Sequence, residues 1–145
     1  MDDKDWKILE MLENNAKLSN SQIAKKTTIP ITTVHNRIKR MESEGIIKQY
    51  TIKLDYEKIN KPILAIILIE VNYNTTSKNK ISQSEVAKSI KKIGAQSVDI
   101  VTGGTDIVIK VRTKSVQELN EFIINKLRNI EGVDKTQTLV VLESI

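Results

Sequence analysis

The chain has 145 residues, of which 39% are hydrophobic and 28% charged, with no cysteine and one histidine. This balance is typical of a soluble globular protein, and the lack of thiols excludes a disulfide framework, a thiolate metal cage and a cysteine nucleophile. The net charge of +5 favours a polyanionic partner wherever the basic residues are concentrated.

Neither the start of the chain nor its longest apolar run has the pattern of an export or membrane segment. Residues 1–5 include three aspartates, where a signal peptide has a basic start followed by an apolar stretch. Residues 63–69 form the longest apolar run, which suits one buried strand but is far shorter than the ~20 residues of a membrane-spanning helix. We therefore expect a cytoplasmic protein with no membrane contact.

Three helices are predicted in the first 45 residues. Apolar residues recur at helical spacing over residues 3–14, and aspartates stand at the dipole-positive end. Ser19 and Gln22 form a capping-box signature for a second helix that reaches about residue 26. Pro30 begins a third helix, which is expected to run to residue 44 and to stop at a glycine. Residues 46–54 are predicted to be a β segment.

The third predicted helix has one apolar and one polar face. Val34, Ile38 and Met41 make a narrow apolar stripe that must face the first two helices. A rotation of about 100° per residue places polar side chains opposite or beside this stripe, with no acid before Glu42. These side chains are Thr32, Thr33, His35, Asn36, Lys39, Arg40 and Ser43. Such a helix can enter the major groove, where Arg pairs with guanine, Asn with adenine and a Thr methyl with thymine.

Basic residues are concentrated in the same segment. Residues 19–53 hold seven Lys and Arg side chains against two Glu, an excess of +5, whereas residues 1–18 sum to −2. Cations of this density suit a polyanion because each neutralised phosphate releases condensed counterions, although a solvated surface can carry the same charges. At the edge of the apolar stripe, Arg37 is predicted to form a structural salt bridge, with Asp5 or another acid of the first helix, and the alternative is that it reads a base. For His35 the alternative to a base contact is an ordinary exposed side chain.

After a polar connection at residues 55–61, the chain alternates between strand and helix patterns. The predicted elements are a strand at 62–73, a helix at 82–93, strands at 96–102 and 106–113, a helix at 115–130 and a strand at 133–143. This β-α-β-β-α-β order is ferredoxin-like, with two helices on one face of a four-stranded antiparallel sheet. The predicted class is therefore α+β. A winged-type helix-turn-helix domain at 1–54 and a linker at 55–61 precede a ferredoxin-like ligand-sensing and oligomerisation domain at 62–145.

The first strand of the second domain is apolar on both faces. Side chains of Ala65, Ile67 and Ile69 share one face, while Leu64 and Ile66 point to the other. Two helices cover only one side, so the second side needs another apolar surface. A second copy of the same sheet would supply it and form an isologous homodimer. The alternative is a single-chain domain whose open face is only locally apolar.

Several motifs in this order resemble the Lrp/AsnC (feast/famine) family of transcription regulators. The resemblance is carried in the first domain by residues 18–26, 33–34, 37–42 and 45–50, together with Asp5, Ile8, Leu9 and Leu12. In the second domain, residues 101–106 look like the glycine-Asp loop of the family's ligand-binding domain. The resemblance implies a DNA-binding regulator that dimerises and often assembles into tetramers, octamers or larger rings.

The resemblance also implies a small-molecule effector, commonly an amino acid held near this loop at contacts between dimers. Glycine backbone amides would approach the ligand carboxylate, and Asp106 would accept from its amine. The candidate ligand residues are Thr102, Gly103, Gly104, Thr105 and Asp106. Relatives often carry an aromatic residue where Thr105 stands, and by spacing alone the glycine pair is a tight hairpin turn.

The predicted function is sequence-specific binding of double-stranded DNA by a homo-oligomeric regulator. Phosphate contacts are expected from Lys25, Lys26, Lys39 and Lys48, and base contacts from Thr32, Thr33, Asn36 and Arg40, with His35 as a further candidate. No catalytic residue, metal ligand or cofactor is predicted, because the chain has one histidine and no carboxylates paired for acid–base work. The alternative is a metabolite-sensing or scaffolding oligomer whose N-terminal helices bind protein.

Overall fold

The computed structural model describes residues 1–73 and 81–144. The chain divides into two compact units, Met1–Leu54 and Asp55–Ile145. Each unit has its own cluster of buried apolar side chains, so each has a core around which its helices and strands are arranged.

Three helices form the first unit: α1 (Asp3–Asn14), α2 (Asn20–Thr27) and α3 (Ile31–Ser43). Capping boxes start α1 and α2, and Pro30 precedes α3, where its missing N–H removes no helical hydrogen bond. The turn between α2 and α3 contains Thr28 in the left-handed region, with φ of 58°. The core is made by apolar stripes of all three helices: Ile8, Leu12, Ile23, Ile29, Val34, Ile38 and Met41.

The prediction of a β segment at residues 46–54 is wrong, since this stretch joins no sheet among the described residues. Its first amides, those of Ile46 and Ile47, donate to the Met41 carbonyl and close the end of α3. Most of its apolar side chains remain exposed, and Ile52 keeps 78% of its surface, although Ile47 packs against the core of the three helices. A β-type sequence alone therefore did not produce a strand here, because no strand in ranges 1–73 and 81–144 pairs with it.

The second unit is a four-stranded antiparallel sheet with helices on one face. Its elements in chain order are β1 (Ile63–Val71), α4 (Gln83–Lys92), β2 (Ser97–Ile100), β3 (Ile107–Thr113), α5 (Val116–Glu121) and β4 (Val133–Val140). The strand order is β2-β3-β1-β4, and every neighbouring pair is antiparallel. This topology confirms the predicted ferredoxin-like fold. After α5 the chain continues through a π-helical turn, Phe122–Lys126, and a 3-10 turn, Leu127–Asn129, instead of one uniform helix.

The two faces of the sheet differ in how far they are covered. On the helix side Ala65, Ile67 and Ile69 are fully buried beneath α4 and α5. On the open side Leu64, Ile66 and Leu68 are only half-buried. The register sets Ile66 beside Lys110 and Leu139, and Leu68 beside Val108 and Gln137. An apolar strip with polar neighbours therefore remains along the middle of the open face.

Residues 55–61, which we expected to form a linker, belong to the second unit. Tyr56 lies against the guanidinium of Arg112, with 4.1 Å between the guanidinium carbon and the ring centroid. The Tyr56 hydroxyl accepts a hydrogen bond of 2.7 Å from the Gln96 amide. Backbone hydrogen bonds from Ile59 to Asp55 and from Lys61 to Tyr56 coil the segment. The connection is thus ordered by contacts that the local sequence does not reveal.

Candidate DNA-binding and effector sites

Helix α3 presents a polar face to solvent. The exposed side chains are Thr32, His35, Asn36, Lys39, Arg40 and Ser43, with Thr33 half-buried at the flank. The opposite stripe is buried, and the first turn of the helix contains no acid. The structure thus brings the predicted base-contacting residues together on the surface of one helix.

Packing against α1 and α2 sets the rotation of α3 about its axis. Val34 and Met41 are fully buried, as are Ile8 from α1 and Ile23 from α2. Burying an aliphatic side chain of this size stabilises the fold by roughly 1.5–3 kcal/mol. A rotation that moved the polar face inward would lose this burial for each residue of the stripe, so the polar face stays outward.

A buried carboxylate on α1 fixes one flank of α3. Asp5 is 1% exposed, and its two oxygens accept from Arg37 at 2.8 Å and from Arg40 at 2.7 Å. Arg37 also donates to Asp2 at 2.6 Å. Burial alone raises the pKa of Asp5, but hydrogen bonds from the Asp2 amide, Arg37 and Arg40 outweigh it and hold the pKa well below its usual value. The predicted structural salt bridge of Arg37 is confirmed.

Arg40, predicted as a base-reading residue, is partly engaged in the same cluster. One terminal nitrogen pairs with Asp5, and its Nε lies 3.8 Å from a carboxylate oxygen of Glu44. The side chain is still 44% exposed, and a guanidinium has five N–H donors. Arg40 is therefore held in place from within the domain and offers DNA only its outward donors.

The predicted phosphate contacts lie at exposed positions around α3. Lys25 and Lys26 occupy the last turn of α2, Lys39 lies on α3, and Lys48 follows α3. In the part of the chain that the structure describes, no carboxylate lies within 4 Å of these four ammonium groups. Their charges thus lie at the surface around the polar face.

Sequence reasoning missed two polar contacts of this surface. The Asn20 amide on α2 donates to Nδ1 of His35 at 3.1 Å, which attaches the histidine ring to the neighbouring helix. The Tyr50 hydroxyl donates to Glu42 at 2.7 Å, and burial together with this carboxylate raises the pKa of Tyr50 to about 12. The residues of the first pair lie 15 positions apart and those of the second lie 8 apart, so neither pair leaves a local motif.

The predicted effector loop connects β2 to β3. The Val101 amide donates to the Asp106 carbonyl at 2.9 Å, which closes the loop as a hairpin connection. Gly103 has φ of 125°, and a Cβ at Gly103 or Gly104 would meet no atom of the described residues within 4 Å. Thr102 and both glycines are exposed, while Thr105 and Asp106 are half-buried. The turn interpretation is correct, and the same turn leaves its backbone open to solvent.

The carboxylate of Asp106 joins three segments at this end of the sheet. One oxygen accepts from the Val71 amide at 2.7 Å, and the other accepts from the Tyr73 hydroxyl at 2.7 Å and the Gln83 amide at 2.8 Å. These hydrogen bonds, that of Val71 first, lower the pKa of Asp106. About four lone-pair directions are available to a carboxylate, so most are filled by the protein itself. Asp106 has a structural role that spacing did not indicate.

The described ranges, 1–73 and 81–144, contain neither a metal-binding cluster nor a membrane-spanning helix. No group of three or more His, Asp or Glu side chains in these ranges could hold a metal ion. None of their helices combines the length and the apolar composition needed to cross a bilayer.

Two family models match the two units of the chain. The model of the winged helix-turn-helix DNA-binding family matches residues 1–48, and that of the Lrp/AsnC ligand-binding domain matches residues 64–145. The chain belongs to the Lrp/AsnC family. It is a DNA-binding transcription regulator, whose helix-turn-helix comprises α1 to α3 and whose ligand-binding domain begins within β1.

Regulators from Pyrococcus are similar to this Lrp/AsnC protein over nearly its whole length. An uncharacterised HTH-type transcriptional regulator of Pyrococcus horikoshii is 43% identical, covering 97% of this chain and 91% of its own length. The HTH-type transcriptional regulator FL11 of Pyrococcus furiosus is 38% identical, covering 99% of this chain and 90% of its own.

Solved structures of the Lrp/AsnC family share the arrangement. A transcriptional regulator of Neisseria meningitidis, crystallised as an L-Met complex, has a TM-score of 0.89 at 27% identity and covers 100% of this chain and 92% of its own. AsnC of E. coli has a TM-score of 0.79 at 26% identity, covering 99% of this chain and 93% of its own.

Proposed function

We propose that this Lrp/AsnC regulator acts in the cytoplasm as a homodimer that reads DNA with the outer face of α3 and responds to an amino acid. The observation that carries the proposal is the division of α3 into a buried apolar stripe and an exposed polar face with no acid in its first turn. Such a face offers hydrogen-bond donors to base edges without repelling the phosphates on either side.

The residues around α3 take two roles in this proposal. Side chains of the polar face, Thr32, Thr33 and Asn36, contact base edges in the major groove, joined by His35 and the outward donors of Arg40. The lysines Lys25, Lys26, Lys39 and Lys48 bind phosphates and set the position of the helix on the duplex. Phosphate contacts supply affinity for any sequence, and base contacts supply the preference for one.

The open face of the sheet supports pairing of two copies. Leu64, Ile66 and Leu68 are half-buried in the single chain and lie beside the apolar Val108 and Leu139. Stacking two such faces removes this strip from water and generates a two-fold axis. On DNA, two copies of α3 are expected to enter successive major-groove faces roughly 34 Å apart, so the binding site is expected to be a pseudo-palindrome. Larger assemblies of this regulator, tetramers or octamers, would consist of two or four such dimers.

The effector part of the proposal rests on the loop between β2 and β3. Backbone amides of Thr102, Gly103, Gly104 and Thr105 can approach a carboxylate, because no described atom lies within 4 Å of the place that a Cβ of either glycine would take. Asp106 is ionised and can accept from an ammonium group through its remaining lone-pair direction. The similar regulator of Neisseria meningitidis was crystallised with L-Met. An amino acid that favours one state of assembly would alter DNA affinity by linkage.

Selection of bound sequences from a random duplex pool tests the DNA part. Asn36→Ala should relax the base preference at one position by about tenfold, whereas Lys39→Ala should weaken binding to all sequences and reduce the salt slope by about one. Lys114→Ala, at an exposed position of the second unit, is the matched charge control. If Asn36→Ala lost the same affinity for selected and for scrambled duplexes, its role as a base-contacting residue would be contradicted. A protein with no salt-sensitive affinity for any duplex would overturn the proposal.

Two further measurements test pairing and the effector. Ile66→Glu places a charge in the apolar strip and should shift the protein to a lower mass in light scattering, while Gln117→Glu on α5 should not. Binding isotherms and masses are then recorded with each common amino acid, using wild type and Asp106→Asn. If no amino acid changes either quantity in the wild type, the effector part is wrong.

A further inference from the structure

An apolar side chain is exposed at the start of α3. Ile31 is the first residue of the helix and is 50% exposed, whereas no residue of the buried stripe exceeds 8%. Isoleucine is only an average helix former, so neither core packing nor helix propensity accounts for it. In helix-turn-helix proteins the N-terminal residues of this helix are those that reach the base edges. Ile31 therefore lies where contact with a base is expected.

His35 lies one helical turn after Ile31, on the same side of α3. Its Nδ1 accepts from the side-chain amide of Asn20, at 3.1 Å. An amide nitrogen can only donate, so the proton of the singly protonated ring is on Nε2, which becomes an N–H donor. The bond to α2 restrains the ring, and the side chain is exposed. The start of α3 thus carries an apolar group and an oriented donor on one side.

This combination matches one base edge. In the major groove thymine presents its C5-methyl group beside the O4 acceptor, whereas cytosine presents an amino donor and guanine presents two acceptors without a methyl group. Adenine presents an acceptor and an amino donor, also without a methyl group.

We propose that Ile31 and His35 together read a thymine, with Ile31 against the C5-methyl group and His35 Nε2–H donating to O4. The proposal rests on the proposed docking of α3 in the major groove, and it assigns the chemistry of one base in each half-site. It also adds Ile31 to the DNA-binding residues and gives Asn20 a positioning role through the histidine ring.

Base analogues separate the two contacts. A duplex selected from a random pool with the full chain is remade with each thymine replaced singly by uracil, which removes only the methyl group, or by 5-methylcytosine paired with guanine. The second change keeps the methyl group and replaces the O4 acceptor with an amino donor. At one thymine per half-site, uracil should weaken binding about three- to fivefold, the effect of one buried methyl group. There 5-methylcytosine should weaken it about tenfold or more.

Protein variants then assign each effect to its residue. Ile31→Ala should bind thymine and uracil duplexes equally, and Ile31→Val should keep a reduced preference. His35→Ala should keep the preference for thymine over uracil but lose most of the discrimination against 5-methylcytosine. Ile59→Ala, another half-exposed isoleucine at 47% in the second unit, should behave as wild type. Thermal unfolding of every variant is the control that the fold is retained.

Three outcomes would overturn the proposal: no thymine at which uracil matters, selected half-sites without thymine, or a wild-type preference that survives Ile31→Ala. In all three, wild-type binding to the selected duplex leaves the proposed DNA-binding function standing. A wild-type protein that binds no duplex overturns both.

Discussion

The carboxylate of Asp5 on α1 lies 2.7 Å from the Arg40 guanidinium on α3, and it also pairs with Arg37. Asp5→Asn removes the charge that both arginines bind, and because the Arg37 and Arg40 side chains remain 21% and 44% exposed, the loss is that of a charged hydrogen bond, about 1.5–3 kcal/mol. We therefore expect Asp5→Asn to lower the free energy of unfolding of the first unit by about this amount in urea denaturation followed by Trp6 fluorescence. Asp3→Asn, an exposed acid in the same turn, should change it by less than about 1 kcal/mol. Equal effects of the two changes would contradict the role assigned to Asp5.

The same cluster predicts how stability depends on pH. The pKa of Asp5 in the folded chain lies below its ordinary value of 3.8, so the folded state favours the charged carboxylate. Its contribution is complete above the unfolded pKa and is lost as the pH falls through the lower folded pKa. The difference in unfolding free energy between wild type and Asp5→Asn should therefore be constant from about pH 7 to 5 and shrink below about pH 4. Urea titrations at a series of pH values measure this difference, and one that stays constant below pH 4 would argue against the assignment.

Thr28 and its neighbour should respond in opposite directions to glycine. Thr28 has φ of 58°, a conformation that costs a non-glycine residue about 1 kcal/mol or more, so Thr28→Gly should raise the unfolding free energy by about 0.5 kcal/mol. Thr27 ends α2 and its hydroxyl donates to the Ile23 carbonyl at 2.7 Å. Thr27→Gly should therefore lower the same quantity by about 0.5 kcal/mol. A loss of stability in both variants would show that the turn is not strained at Thr28.

Gly132 should tolerate no side chain. It has φ of +93°, and a Cβ there would lie 2.8 Å from a methyl carbon of Val86 and 3.2 Å from one of Ile81. Because overpacking and backbone strain add up, Gly132→Ala should lower the free energy of unfolding of the second unit by about 2–4 kcal/mol. Gly94 has φ of +101° with open space around it, so Gly94→Ala should cost only the strain, about 1 kcal/mol. Urea denaturation followed by circular dichroism compares the two variants. Equal losses of unfolding free energy would show that Val86 moves away from the added methyl group.

The features that sequence predicted correctly depend on local periodicity. Val34, Ile38 and Met41 repeat at helical spacing, so the buried stripe and the polar face follow from helix geometry alone. The salt bridge of Arg37 followed from its place at the edge of that stripe. The alternation of β and α patterns in the second unit similarly led to the correct topology, because a four-stranded sheet with two crossover helices has few arrangements.

The features that sequence missed depend on residues far apart in the chain. Asp5 and Arg40 meet only because α1 packs against α3, and Gln96 reaches Tyr56 across 40 positions. The exposed Ile52 belongs to a pattern that is typical of a strand, but strand formation requires a partner that local propensity does not supply. The π-helical turn in Phe122–Lys126 has no signature in the spacing of its residues.

If α3 docks on DNA as proposed, the ion cluster also limits how strongly the helix attracts DNA of arbitrary sequence. Arg37 and Arg40 face the negative charge of Asp5, so counting basic residues overstates the positive charge that the helix presents. A helix with less positive charge releases fewer counterions from DNA, so its affinity for non-specific sequences is lower. Base contacts then supply a larger share of the binding free energy. A chain lacking the Asp5 charge is therefore expected to be less stable and also less discriminating, with a higher affinity for DNA of random sequence.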